Sequence, residues 1–347
     1  MFSSIWFILF IPYVFSFTTI PTENIAVVSS RDFASMPSYA HNINTDVPPI
    51  SIREKLRQKT TGLLKLVRYK NILPTTLLSF TGGYIIQPSI TALLHNPSFL
   101  IGILNTVLIM CSSMIMNDLF DMKVDKINNP KRPLITGVVT VCEALLTNIA
   151  ILGTTSALTY KYLSPELRFA INLAILNITL YTPILKKALF IKNISCASLV
   201  GFSIYFAGFT TRTLNTPTYL QNQLLTIATR TIFFGSLFNE ILLDVRDSQG
   251  DLQNGIRTIP NVFGIKKAMT FAKWILHINV FWNLFHLIQI FNWRTGIMYI
   301  LCFTPIFKNL YKTRTEEMTT EMIQKTVNET NMPLFGLLLY LCFLARA

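Results

Sequence analysis

Apolar residues in this chain come in long blocks rather than in alternation. Nine blocks stand out, at about 73–93, 97–116, 138–160, 167–185, 194–212, 222–242, 268–290, 295–311 and 332–346, with short polar stretches between them. An α-helix needs about 20 apolar residues to cross a bilayer, so each block is sized for one crossing, the last being short. A closed transmembrane barrel would instead show shorter segments in which every second residue is apolar. The pattern predicts an all-α fold: a multi-span membrane helical bundle of about nine transmembrane helices around a central cavity.

Composition supports the same class. The 347 residues are 51% hydrophobic and only 14% charged, whereas soluble domains carry about 25% charged residues. The net charge of +13 raises the question of a nucleic-acid partner. Its distribution argues for membrane lipid and against nucleic acid. With nine crossings, the loops after blocks two, four, six and eight fall on one side and carry fifteen Lys and Arg, while the opposite loops carry four. That is the positive-inside asymmetry of an integral, multi-pass membrane protein. The five cysteines are isolated and mostly within the blocks, which suits small apolar fillers. The four histidines show no metal-ligand spacing.

Three segments are expected along the chain. Residues 1–16 form a signal-like apolar stretch without a basic leader. Residues 17–60 are polar, non-periodic and rich in Ser, Thr and Pro, as in a flexible or targeting extension. Residues 61–347 hold the transmembrane domain.

The chemistry concentrates at two block ends. Asn117, Asp121 and Asp125 recur every four residues, so one helical face carries all three, with Asp118 about 100° around it. Asp244, Asp247 and Asp251 repeat the arrangement after the apolar run 231–243, with Glu240 one turn earlier. Six of only 17 acidic residues lie in these two arrays. Carboxylates at the end of a membrane helix need neutralising. Oxygen ligands of this kind suit Mg²⁺, which takes one or two carboxylates together with substrate phosphates. A solvated helix end is the simpler alternative for either array alone.

The string NDxxDxxxD at 117–125, followed by Arg132 and Pro133, resembles the first aspartate motif of the UbiA-type intramembrane prenyltransferases. Asp244, Asp247 and Asp251, followed by Gly255, Arg257 and Gly264, are similar to that family's second motif, and the likeness runs over roughly residues 63–345. The resemblance implies Mg²⁺-dependent transfer of a prenyl group from a polyprenyl diphosphate to a lipophilic acceptor within the membrane. It implies Asn117, Asp118, Asp121, Asp125, Asp244, Asp247 and Asp251 as metal ligands. Asp118, Asp121, Asp244 and Asp247 would be catalytic. Arg68, Asn71, Lys131, Arg132, Tyr181, Lys186 and Arg257 would contact the diphosphate, and Asn193 matches a further family position. On physical grounds the basic residues suit phosphate, yet several would serve equally as interfacial anchors.

The strings 125–130 and 250–255 look more like the chlorophyll-synthase and glycerol-ether lipid branches than the ubiquinone or haem branches. The amino-terminal pattern resembles the bipartite presequences of algal complex plastids, which implies a plastid membrane as the destination. Two other readings stay open: a UbiA-type terpene cyclase using the same diphosphate, and a non-enzymatic isoprenoid-binding membrane protein. No P-loop, GxGxxG or catalytic-triad pattern points to other chemistry. Arg230, deep within the sixth block, is expected to face a bundle interior or cavity.

Overall fold

The computed structural model describes residues 51–212, 216–253, 255–312 and 320–346. The signal-like segment 1–16 and nearly all of the extension 17–60 lie outside the described residues. The end of that extension is not irregular. Residues 52–60 are the first turns of helix α1 (Ile52–Leu66), whose inner face buries Gly62 and Leu66.

Twelve further helices follow: α2 (Ile72–Ile86), α3 (Ile90–Leu94), α4 (Pro97–Phe120), α5 (Met122–Asn128), α6 (Val141–Tyr162), α7 (Pro165–Tyr181), α8 (Ile191–Thr211), α9 (Tyr219–Gln253), α10 (Ile259–Phe263), α11 (Ile265–Ile290), α12 (Trp293–Lys312) and α13 (Thr320–Leu344). Among the described residues only helices and turns occur. Among the described residues four helices are long and apolar enough to cross a membrane: α4, α6, α8 and α13. The expected nine crossings are not reached on that footing. Helices α2 and α7, of 15 and 17 residues, fall short, and polar residues such as Arg230, Asn279, Asn283, His286 and Lys308 dilute α9, α11 and α12.

Local sequence sets the helix starts. Asn96 accepts from the Phe99 amide ahead of Pro97 at the first position of α4. Thr140 and Glu143 form a reciprocal capping box at α6. Small and polar residues then join the helices, as expected where lipid gives no hydrophobic drive for association. Gly82 of α2 lies against the Ile204 carbonyl of α8, so close that a Cβ would sit 2.0 Å from the oxygen. Buried hydrogen bonds from Asn105 to Thr159 (2.9 Å) and from Ser112 to Asn148 (2.7 Å) tie α4 to α6. Asn279 and Asn283 of α11 bond Thr231 of α9, at 3.0 Å each.

Helices α8 and α9 are antiparallel. Asn193, at the start of α8, donates to Asp244 late in α9 (2.9 Å), while Arg212, just past the end of α8, donates to Asn222 at the start of α9 (2.7 Å). This arrangement puts Asp244 at the end of the bundle where α8 begins.

Candidate active site

The first array occupies the end of α4 and the start of α5. Asp121 marks the junction, with φ −87° and ψ 5°. The helical ladder nevertheless continues through it: the Asp121 amide donates to the Asn117 carbonyl (2.9 Å) and the Asp125 amide to the Asp121 carbonyl (2.8 Å). Expected stacking of Asn117, Asp121 and Asp125 along one face is only partly realised, because the side chains divide into two pairs. Arg132 donates through Nη1 to Asp118 (2.5 Å) and to Asp125 (2.6 Å). Lys186 donates to Asp121 (2.5 Å) and, at 3.5 Å, to Asn117. Residues seven apart come round to nearly the same angle after two turns, so one guanidinium spans 118 and 125.

Asp118 and Asp125 are 4% and 3% exposed, which makes the cation necessary: a buried carboxylate without a partner costs several kcal/mol. Burial pushes the Asp125 carboxyl above the usual range, and the Arg132 charge opposes this. Arg68 adds a longer contact to Asp118, at 3.4 Å. Its backbone is left-handed, φ 49°, at the turn between α1 and α2. Phe190, φ 67°, holds the matching position at the entry to α8. Among the described residues these are the two non-glycine positions with positive φ, and each introduces a basic side chain of the site.

The second array lies past the apolar part of α9. Asp244 is 5% exposed. It accepts from Lys192 (2.6 Å) and from Asn193 (2.9 Å), both in the first turn of α8. Burial pushes the Asp251 carboxyl up to about 6 against the pull of Lys192 and Lys186. Lys186 also acts on Asp125. One ammonium group is thus electrostatically close to both arrays.

Asp247 departs from its expected place on the common face. Its side chain is 51% exposed and is held by the neighbouring Arg246, which also bonds Gln324 of α13. The reason is rotation: Asp244 and Asp251 differ by about 20° around the helix, whereas Asp247 lies about 60° from Asp244. Tyr181 is the last residue of α7, half-buried, five residues before Lys186. Gly255 has φ 68°, the left-handed turn that ends α9, and Arg257 follows it in an exposed position. Lys131 and Asn71 are exposed near the first array, and no contact from either to its carboxylates occurs among the described residues.

In the sequence Lys192 and Arg246 are two of the fifteen basic residues on the charged side, with nothing in their charge alone to mark either for the site. Lys192 was findable from its place beside Asn193, where a charge at the start of an apolar helix needs a counter-ion.

Among the described residues no three acidic side chains close on a single point. The donor set still fits Mg²⁺, because each array offers one or two carboxylate oxygens and leaves the remaining positions to phosphate and water. Asn193 Oδ1 is a further buried oxygen without a hydrogen-bond partner, beside Asp244.

Comparison with known proteins agrees with this architecture. The UbiA prenyltransferase family profile matches residues 72–325. Digeranylgeranylglyceryl phosphate synthase from Sulfolobus acidocaldarius is 29% identical over 260 residues, 72% of this chain and 90% of that protein. A solved structure concerning digeranylgeranylglyceryl phosphate synthase is similar with a TM-score of 0.63 and 21% identity, over 83% of this chain and 99% of that one. A UbiA homologue from Archaeoglobus fulgidus bound to DMAPP and Mg²⁺ is similar with a TM-score of 0.60 and 20% identity, over 82% and 99%. Two aspartate arrays at one end of an all-helical membrane bundle, together with a profile spanning most of the chain, establish that this protein belongs to the UbiA prenyltransferase family.

Proposed function

We propose that this prenyltransferase ionises an allylic polyprenyl diphosphate at the end of the bundle where α8 begins and transfers the prenyl group to a glyceryl phosphate type of lipid acceptor. The observation that carries this reading is the short segment holding Lys186 and Lys192, which reaches Asp121 of the first array and Asp244 of the second. Two arrays tied by six residues of chain can act on one diphosphate.

Mg²⁺, when bound, withdraws charge from the diphosphate oxygens and stabilises the leaving group. Asn117, Asp118, Asp121 and Asp125 would hold one ion, and Asp244, Asp251 and the rim residue Asp247 another. Lys186, Lys192, Arg132 and Arg68, which stand beside these carboxylates, donate to the phosphate oxygens of the diphosphate. Arg257 and Lys131 guide the diphosphate from the exposed side. The bond between the allylic carbon and the diphosphate oxygen then breaks, with the electron pair leaving on diphosphate. Tyr181 supplies an aromatic ring near the cation, and the surrounding helices exclude water until the acceptor oxygen bonds the allylic carbon and passes its proton to the released diphosphate. The glyceryl acceptor rests on the S. acidocaldarius relative and on the strings 125–130 and 250–255.

The test is mass spectrometry of products from the purified full-length protein with geranylgeranyl diphosphate, Mg²⁺ and a panel of acceptors that includes geranylgeranylglyceryl phosphate. An ether product that disappears with EDTA is expected. A terpene alcohol or hydrocarbon formed without acceptor would assign a cyclase instead, and an aromatic or tetrapyrrole product would overturn the acceptor class.

A further inference from the structure

The aspartate arrays do not account for Arg230, a cation within the bundle. Arg230 lies 14 residues before Asp244 on α9, about 21 Å away along the helix axis and toward the opposite face. Its Nε donates to Asn283 (2.6 Å) and its Nη2 to His286 Nδ1 (3.0 Å), and its guanidinium stacks 4.6 Å from the Trp282 ring centroid. None of these partners is an anion. Asn283 is completely buried and fixes the guanidinium from behind. In front, the surface faces outward: Trp282 is 42% and Phe285 63% exposed.

Because His286 Nδ1 accepts from Arg230, its proton sits on Nε2, a second donor. Among the described residues Nη1 of Arg230 has no partner. His286 lies four residues before the end of α11 at Ile290, about 6 Å in axial rise. Arg230 itself lies eleven residues into α9, about 16 Å of rise, so the pair sits within the half of the bundle that faces the far leaflet.

We propose that Arg230, His286 and Trp282 form a site for the phosphate of an anionic phospholipid in the leaflet opposite the aspartate arrays. The guanidinium and the imidazole N–H donate to phosphate oxygens, and the exposed aromatic rings of α11 carry the acyl chains. The cation thereby gains a counter-ion that the described residues do not supply.

The experiment is native mass spectrometry of the delipidated full-length protein with phosphatidylglycerol, phosphatidylcholine, diacylglycerol or inorganic phosphate. Wild type is expected to retain phosphatidylglycerol in preference to phosphatidylcholine and not to retain diacylglycerol. Arg230→Gln loses charge-assisted bonds, so retention should fall by about tenfold or more. Should that variant not purify, His286→Ala removes one donor without disturbing the Asn283 brace and should lower retention in the same direction. Equal retention by wild type and variant, or diacylglycerol held as firmly as phosphatidylglycerol, would overturn the site. Displacement of phosphatidylglycerol by millimolar inorganic phosphate would assign a free-anion site and overturn the lipid.

Discussion

Lys186 Nζ donates to the Asp121 carboxylate at 2.5 Å across 65 residues of sequence. It joins a turn after α7 to the junction of α4 and α5, and its charge also acts on Asp251 of α9. Lys186→Met should therefore lower kcat/KM for the prenyl diphosphate by about 10²–10³-fold, the scale of losing one electrostatic stabiliser of a leaving group. Steady-state kinetics decide it, and a variant with undiminished kcat/KM would remove Lys186 from the site.

Arg132 is the shared partner of Asp118 and Asp125. Replacing it with Gln leaves two buried carboxylates without a full charge partner. A loss of about 3 kcal/mol is expected, since removing one member of a buried pair strands the other. Thermal denaturation in detergent reports this. Adding Asp125→Asn to Arg132→Gln should restore part of the lost stability, and no recovery would mean that the charge is not the cause.

The second array predicts a contrast between neighbours. Asp247 is half exposed and pairs with Arg246, so Asp247→Asn should change stability by no more than about 1 kcal/mol. Asp244→Asn leaves Lys192, which is only 11% exposed, facing a neutral amide. It should be clearly the more destabilised of the two in parallel melts, and the reverse order would contradict the burial of the Asp244 pair.

Helix packing gives a test independent of the chemistry. In Gly82→Ala the new methyl group would meet the Ile204 carbonyl, forcing α2 and α8 apart. Overpacking of this kind costs about 1–3 kcal/mol. Gly153→Ala in α6 meets nothing within 4 Å and should be neutral or slightly stabilising. Equal melting temperatures for the two variants would show that α2 and α8 can yield there at no cost.

The helical class and the long polar–apolar blocks were readable from residue order, because lipid requires every backbone group to be satisfied within its own segment. The two acidic arrays were readable for a related reason: six carboxylates placed at the ends of apolar helices are too expensive to be incidental. Helix spacing within one array was less secure. It put Asn117, Asp121 and Asp125 together, whereas Arg132 joins Asp118 to Asp125 and Lys186 joins Asn117 to Asp121.

Which cation meets which carboxylate depends on contacts between residues tens of positions apart, and periodicity carries no information about those. Lys192 could be seen as a charge, but its pairing with Asp244 follows from the antiparallel packing of α8 on α9. The setting of Arg230 was decided in the same way, by the face of α11 that α9 happens to meet. Local sequence determined that this chain is a helical membrane protein with two acidic arrays. Tertiary packing alone decided how they are neutralised and brought together, because charge pairing is set by distance in space rather than along the chain.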